Sequence, residues 1–405
     1  MNPNWKRPLA VVLALLAMVR CTNGVFQGQT GGGNPGPTGL YRGFPNTPVY
    51  AIVVDSGSGD LYIGGAFTSV GGFATAGVAR LRSDGFVDTT FVVSGSTNLE
   101  VRALETSGTK LLVGGEFTEI GGDSSEPYLT ELTTNGVIQS VFGSPDGPVY
   151  AIKVDKSNND FVFIGGDFSN YNATGVGNII RIKTDVTLDT IYTANANVNN
   201  TVLVLTQQAA APFNLYLGGA FDMQGGASAA RHLRLDGTGS ADAGYPTGGS
   251  AGFDNKVYSL IEFVDGGTTY VLAGGAYEMY GGSTSQRVTY LTDTNTSLNP
   301  YPSGFDGDVH VLRQYDVQYF YAGGEFDQYA GSNHFKIARV STDTFADSGF
   351  VTGSGFDSDV FALETAAGRT VYVGGQFTSY NGNSTPNLVR LHSDGSVDTS
   401  FLPPE

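Results

Sequence analysis

The chain of 405 residues contains a single cysteine, Cys21. An internal disulfide needs two cysteines and a cysteine-based metal site needs several, so both are excluded. The four histidines, His232, His310, His334 and His392, are scattered and form no His-Glu-x-x-His pattern. We therefore expect no zinc enzyme, no other metal site and no cofactor.

Basic residues are also scarce, since 21 lysines and arginines stand against 38 aspartates and glutamates and give a formal net charge of −17. Nucleic-acid affinity comes mainly from neutralised phosphates, and anionic lipid headgroups also attract basic segments. The charge balance therefore argues against both partners and suits an exported, soluble protein.

Long apolar runs are missing too. The run at residues 9–19 has eleven apolar residues, too few for a membrane-spanning helix, which needs about 20. Because Lys6 and Arg7 precede it, we predict a signal peptide at residues 1–20.

A lone cysteine just behind this run resembles the acylated cysteine of bacterial lipoproteins. Cys21 is therefore predicted as a lipidation site, and the glycine- and proline-rich residues 21–40 as a flexible tether. The alternative is an ordinary secreted protein cut after Gly24. Arg20 favours that alternative, because it stands where lipoproteins have a small residue.

Glycine, by contrast, is abundant, with 58 residues. The phrase Gly-Gly-x-Phe/Tyr occurs seven times, and its first glycine is Gly64, Gly114, Gly165, Gly218, Gly274, Gly323 and Gly374. The spacings of 50, 51, 53, 56, 49 and 51 residues are typical of a repeat protein. A glycine pair repeated this evenly indicates a packing device, not a phosphate-binding loop.

Each repeat contains four short extended pieces rich in β-branched and aromatic residues, such as residues 49–54 and residues 78–82. Asp84-Gly85 and its relatives predict type I′ hairpins, which need positive φ at both central residues. The pattern predicts an all-β fold, a seven-bladed β-propeller of four-stranded antiparallel blades over residues 41–405. Either terminal segment, residues 41–44 or residues 397–401, could complete the last blade.

Several phrases resemble the delta-60 repeat, a bacterial β-propeller family. They are residues 61–68 (LYIGGAFT), 79–85 (ARLRSDG) and 87–91 (VDTTF) in the first repeat, and residues 373–378 (VGGQFT) and 390–401 (RLHSDGSVDTSF) in the last. The resemblance covers about residues 41–401 and is looser in repeats four and five. It implies a secreted or surface-exposed propeller and brings no common catalytic residues.

The third position of the phrase differs between repeats and should form a ring on one rim. It holds Ala66, Glu116, Asp167, Ala220, Ala276, Glu325 and Gln376. We predict that Glu116, Asp167 and Glu325 contact a ligand. Glu116 and Asp167 come from adjacent repeats, so they also suggest the acid–base pair of a glycosidase-like enzyme.

A second predicted ring contains Arg80, Arg181, Arg339 and Arg390, replaced in other repeats by Glu131, His232 and Tyr290. We expect these arginines to join neighbouring blades, with anion recognition as the alternative. Past the aromatic residue of the phrase, Tyr171, Tyr280, Tyr329 and Tyr380 lie in short glycine-rich loops. They are predicted stacking platforms for sugar rings.

Together these features predict a monomeric, cell-surface propeller that acts as a non-catalytic binding or adhesion module. Its expected partner is a surface glycan or an envelope protein, and its only membrane contact would be a lipid anchor at Cys21. The alternatives are a carbohydrate-active enzyme that uses Glu116 and Asp167, and a structural subunit of an envelope complex.

Overall fold

The computed structural model describes residues 41–401, apart from gaps at 94, 96–97, 99, 140–142, 246–251, 299–303, 343, 345–348, 351 and 367–369. The predicted signal peptide, the tether and Cys21 lie outside the described residues. Strands and turns dominate the described part of the chain, so the expected all-β fold is confirmed. The one helix within the described residues, Thr190–Ala196, has seven residues. No described helix has the length and apolar character needed to cross a membrane.

Seven antiparallel sheets follow one another along the described chain, one for each double glycine. In each sheet the second strand lies between the first and the third. The first strands are Val49–Val54, Val101–Ser107, Val149–Val154, Val202–Gln207, Val257–Asp265, Val309–Gln314 and Val360–Ala366. The second strands, which end in the double glycine, are Leu61–Gly65, Lys110–Gly115, Phe161–Gly166, Leu215–Gly219, Thr268–Gly275, Tyr319–Gly324 and Thr370–Gly375. The third strands are Val78–Leu81, Leu129–Thr133, Ile179–Lys183, His232–Leu235, Val288–Thr292, Ile337–Ser341 and Leu388–Leu391.

Two-residue strands form a small hairpin between the second and third strands. These hairpins pair Ser69–Val70 with Phe73–Ala74, Asn170–Tyr171 with Thr174–Gly175, Met223–Gln224 with Ala227–Ser228, Met279–Tyr280 with Ser283–Thr284, Gln328–Tyr329 with Ser332–Asn333, and Ser379–Tyr380 with Asn383–Ser384. In repeat two a single bridge, Ile120 to Asp123, takes the place of the hairpin.

The fourth extended piece is shorter than predicted. Among the described residues only the second sheet has a fourth strand, Ile138–Gln139. Five other sheets pair this piece through one bridge, as in Leu81 to Val87. The four-stranded arrangement is therefore reduced to three strands and a bridge in these sheets.

In repeats one, three, four and seven, an aspartate follows the bridge and its carboxylate closes a turn there. The Asp88 carboxylate accepts a hydrogen bond from Thr90 N at 2.9 Å and from Arg80 Nε at 2.8 Å. The bond to Thr90 closes a turn that ends the extended conformation. In repeat two, Glu131 and Gln139 occupy the positions of Arg80 and Asp88, and there Gln139 is itself paired in a strand.

The double glycines bring neighbouring sheets together, as the sequence predicts. A Cβ atom on Gly64 would lie 2.7 Å from Val101 Cγ1 of the next repeat, and one on Gly65 would lie 2.1 Å from Pro48 O. The same close approach recurs around the chain and ends with Gly374, whose added Cβ would lie 2.7 Å from Val49 Cγ1. The last repeat therefore packs against the first as each repeat packs against the next.

The two ends of the described chain meet. Val397 bridges Leu391, so the C-terminal segment supplies the fourth piece of repeat seven. Phe401 is fully buried, and its carbonyl oxygen accepts a hydrogen bond from Arg42 Nε at 2.9 Å. Arg42 in turn bridges Phe86 of repeat one. Both terminal segments thus join repeats seven and one, which answers the question that the sequence leaves open.

The predicted ring of arginines joins neighbouring repeats. Arg80 donates to Thr134 O of repeat two at 2.9 Å, and Arg390 donates to Ser83 O of repeat one at 2.7 Å. The predicted ring is wrong in repeat four, where Arg234, not His232, occupies the position equivalent to Arg80. Arg234 pairs with Tyr216 as Arg80 pairs with Tyr62. His232 lies two residues earlier, where it pairs with Gly218.

Candidate functional site

Each first strand begins with a β-bulge. In all seven sheets the pairing with the second strand shifts between the first and third residues of the first strand. A bulge redirects the side chain of the residue that it leaves unpaired. This second residue is partly exposed in every repeat, as Tyr50, Arg102, Tyr150, Leu203, Tyr258, His310 and Phe361.

Five of these side chains make a continuous row of contacts across neighbouring repeats, which we call the rim arc: Tyr258, His310, Phe361, Tyr50 and Arg102. The ring centroids of Tyr258 and His310 are 5.5 Å apart, and those of His310 and Phe361 are 5.2 Å apart. Phe361 and Tyr50 are also 5.2 Å apart. The Arg102 guanidinium carbon lies 4.0 Å from the centroid of Tyr50, within cation–π range.

The predicted carboxylates lie beside this row. The backbone N–H of the variable residue after each double glycine bonds to the carbonyl just before the first strand, as in Glu116 N to Glu100 O at 2.9 Å and Glu325 N to Asp308 O at 2.9 Å. Glu116 accepts a hydrogen bond from Arg102 Nε at 3.1 Å. Glu325 Oε1 lies 3.3 Å from His310 Nε2.

Asp167 occupies the same position in repeat three, and its side chain is exposed. It faces a groove of about 460 Å³ rather than an arginine. Glu116, Asp167 and Glu325 thus lie at equivalent points of their repeats, but they have three different surroundings.

Carboxylates also influence the tyrosines of this rim. Burial raises the pKa of Tyr50 to about 12, and the charge of Glu100 adds to the effect. Burial likewise raises the pKa of Tyr258, with further increases from Asp308 and Glu325. These phenols stay neutral at physiological pH, and Tyr50 uses its O–H to donate to Glu100 at 3.1 Å.

Two polar grooves open between neighbouring repeats at corresponding places. The groove between repeats three and four is lined by Asp146, Asp167, Asn178, Asn197, Asn199 and Asn200. The groove between repeats five and six has a volume of about 380 Å³ and is lined by Glu278, Gln286, Arg287, Asp306 and Gln328, among others. Amide and carboxylate groups at both places offer hydrogen-bond donors and acceptors.

The four predicted stacking tyrosines lie elsewhere, in the core. Tyr171, Tyr280, Tyr329 and Tyr380 are at most 5% exposed. The Tyr380 hydroxyl donates to Gly395 O at 2.7 Å, and the Tyr280 hydroxyl donates to Asn295 O at 3.0 Å. Their glycine-rich hairpins fold back onto the sheets and bury the rings, so no sugar can stack on them in this structure.

The rim arc was missed by sequence reasoning, although a signal for it exists. The second residue of the first strand is aromatic or basic in six repeats, whereas the third is alanine, valine or serine throughout. A large side chain that varies beside a small, nearly constant one indicates an exposed position next to a packed one. The bulge that exposes it depends on pairing between two strands.

Comparison with protein-family models gives one match. Residues 57–91, 162–190, 321–350 and 369–401 match the model described as a domain of unknown function (DUF5122) beta-propeller. These segments belong to repeats one, three, six and seven, so the resemblance to a β-propeller repeat family is confirmed. A comparison with curated protein sequences gives no match.

Solved structures give the same fold. The extracellular domain of the hybrid two-component system BT4673 from B. thetaiotaomicron matches with a TM-score of 0.53 and 12% identity, covering 87% of this chain and 39% of that one. The corresponding domain of BT3049 from the same organism matches with a TM-score of 0.50 and 12% identity, covering 84% and 40%. The chain therefore spans about two fifths of the length of these relatives.

A third structure is closer to this chain in length. The WD40 beta propeller domain of Doa1 matches with a TM-score of 0.51 and 13% identity, covering 75% of this chain and 83% of that domain. At such low identity these matches concern the fold alone. The chain thus has the fold of a β-propeller.

Proposed function

We propose that the protein is an exported, monomeric, seven-bladed propeller that serves as a non-catalytic binding module at the cell surface. Seven successive sheets, and the packing of Gly374 against Val49, support seven blades. The extracellular origin of the BT4673 and BT3049 domains supports export. Loops and strand ends on a rigid scaffold are common places for binding.

The rim arc carries the proposal that the ligand is a glycan. It offers partly exposed rings in contact with one another, and the carboxylates of Glu116 and Glu325 contact Arg102 and His310 of the same row. Aromatic faces pack against the apolar face of a sugar ring, and amide or carboxylate groups bond to its hydroxyls. This rim combines both kinds of contact, unlike the buried tyrosines.

The carbohydrate-active enzyme is the less favoured alternative. A glycosidase needs a pair of carboxyl groups that act on one bond, with one of them free to give up a proton. Here Glu116 is bonded to Arg102, whereas Asp167 is exposed in a groove between repeats three and four. This difference supports binding over hydrolysis.

A glycan array probed with the purified chain tests the proposal. We expect binding to a restricted set of glycans, weakened about tenfold by Phe361→Ala, because an aromatic side chain contributes about 1.5 kcal/mol when a ligand covers it. Phe86→Ala is the matched control, since Phe86 is also partly exposed but packs against Arg42 and Arg82. Equal loss in both variants, or capture of an envelope protein without glycan binding, would contradict the glycan proposal; the second result would favour the structural-subunit alternative.

The lipid anchor at Cys21 is tested separately. Cells that express the wild-type chain or Cys21→Ser are grown with a radioactive fatty acid, and the protein is recovered. We expect label only in the wild-type protein. Equal labelling of the two would contradict an anchor at Cys21, and no label in either would favour the secreted form cut after Gly24.

A further inference from the structure

Repeats two and six carry the same arrangement of charged residues at the rim. In repeat two, Glu100 precedes the first strand, Arg102 is the bulged residue and Glu116 follows the double glycine. In repeat six the same three positions hold Asp308, His310 and Glu325. The other five repeats have at most one carboxylate at the two flanking positions.

In repeat two a cation of the chain itself fills the space between the carboxylates. The Arg102 guanidinium contacts Glu100 through Nη2 and Glu116 through Nε, the latter at 3.1 Å. In repeat two, the two acidic side chains therefore bind a positively charged group between them.

In repeat six the central residue is a histidine, whose ring offers a nitrogen lone pair that the arginine of repeat two lacks. Its Nε2 faces Glu325 Oε1 at 3.3 Å. Asp308 lies on the other flank, and one of its oxygens is 3.6 Å from Arg287 Nε. Arg287 approaches from repeat five and neutralises part of the Asp308 charge, but Glu325 is left with the imidazole.

The three side chains have the geometry of metal ligands. One ligand atom from each of Asp308, His310 and Glu325 lies within 4.8 Å of the others. Ligand atoms about 2.1 Å from a tetrahedral zinc ion are separated by roughly 3.4 Å, close to the observed distance of 3.3 Å between His310 and Glu325. The ring of His310 is held between Tyr258 and Phe361, which restricts its orientation.

We propose that Asp308, His310 and Glu325 bind one divalent transition-metal ion of the zinc type, which takes the place that the Arg102 guanidinium occupies in repeat two. Imidazole nitrogen and carboxylate oxygen are both ligands of such ions, whereas Ca²⁺ and Mg²⁺ prefer oxygen alone. Small movements of the partly exposed Glu325 side chain, 53% exposed, bring the three ligands to bonding distance. The site goes beyond the proposed glycan function and is tested without a glycan.

Calorimetric titration of the chelator-treated full chain with Zn²⁺ tests this inference. We expect one equivalent to bind, and we expect His310→Arg and Glu325→Gln each to weaken binding at least tenfold. His310→Arg reproduces the charged residue of repeat two, so it should stay folded with an unchanged melting temperature. Glu325→Gln provides a second variant of nearly identical shape.

Two matched controls separate this site from adventitious binding. Glu116→Gln changes the equivalent carboxylate of repeat two, and His392→Ala removes a histidine whose side chain is 49% exposed. Both should bind Zn²⁺ like the wild type. The inference is overturned if the wild type binds no Zn²⁺, if His310→Arg binds it with unchanged affinity, or if Ca²⁺ binds as tightly as Zn²⁺.

Discussion

His232 is a titratable side chain buried between repeats four and five. It is 2% exposed, its Nε2 lies 2.8 Å from Asn295 Oδ1, and its ring touches Tyr245, Phe253 and Tyr280. Burial lowers the pKa of the imidazole, and the bond to Asn295 offsets only part of that effect. The folded chain therefore holds His232 neutral at physiological pH.

This burial predicts a loss of stability in mild acid. An unfolded chain protonates a histidine near pH 6.5, whereas the folded chain does so only at lower pH, so the unfolded state binds more protons between the two values. The contribution of neutral His232 to the free energy of unfolding is therefore fully present above about pH 6.5. It decreases as the pH falls, by up to about 1.4 kcal/mol per pH unit. Urea unfolding at pH 7.5 and pH 5.5 should show a smaller pH effect in His232→Gln than in the wild type. His392→Gln should behave like the wild type, and an unchanged pH effect in His232→Gln would contradict the prediction.

In repeats one, three, four and seven, an arginine–aspartate pair connects the third strand to the turn that ends the following extended piece. Arg390 Nε donates to Asp398 at 2.8 Å, with the two side chains only 13% and 9% exposed. Burial alone would raise the pKa of Asp398, but the hydrogen bonds from Ser400 and the charge of Arg390 outweigh it and lower the pKa. The pair therefore stays ionised, ends the fourth piece of repeat seven and joins that repeat to Ser83 of repeat one.

Asp398→Asn should destabilise the protein by about 3 kcal/mol, because it leaves Arg390 partly buried without its counter-charge. The free energy of unfolding in urea measures the change. Asp84→Asn removes the same charge from an exposed pair with Arg82, whose side chains are 43% and 55% exposed, and should cost less than about 1 kcal/mol. A similar cost at both positions would refute a special role for the buried pair.

The strands were more predictable than the turns. The even spacing of the double glycines predicts the sheets, because a missing Cβ at a fixed place signals close packing. Asp84-Gly85 correctly predicts a hairpin, but the type I′ geometry is wrong, since Gly85 has a φ of +85° and Asp84 has no positive φ. The Asp84 side chain accepts from Phe86 N at 3.2 Å, a local bond that composition alone does not reveal.

The candidate site was predictable only in part. The variable position after the double glycine predicts that Glu116, Asp167 and Glu325 lie at equivalent points of their repeats, and they do. Their contact with a ligand stays a prediction. The partners of these residues were not foreseen, because Arg102 and His310 come into position through a bulge between strands. The predicted exposure of the four tyrosines was wrong because their glycine-rich segments resemble surface loops in sequence. In the structure these segments are hairpins that cover the core and bury the rings.

At the scale of the whole molecule, repeat seven packs against repeat one, and both ends of the described chain take part in this contact. We call this contact between repeats seven and one the joint. Phe401 is fully buried in a cluster with Val49, Leu61 and Phe67 of repeat one. It lies against the turn at Gly85, where an added Cβ would be 1.8 Å from Phe401 O. Phe401→Ala should therefore cost about 3 to 5 kcal/mol in the free energy of unfolding, while Phe86→Ala, at a partly exposed position, should cost much less.

The same joint predicts that the chain can begin at a different repeat and still fold. A circular permutant that links residue 405 to residue 41 and begins at Gly267 keeps both sides of the joint and opens only the exposed turn at Gly266 and Gly267, where neither glycine has an atom within 4 Å of an added Cβ. We expect it to fold with a melting temperature within a few degrees of the wild type, since breaks at exposed turns are tolerated. A truncation before residue 397 is the control, and it should melt far lower because it leaves the third strand of repeat seven without its fourth piece. If the permutant melted as low as the truncation, an uninterrupted fifth repeat would be needed for stability, and the contacts between successive repeats would not be equivalent.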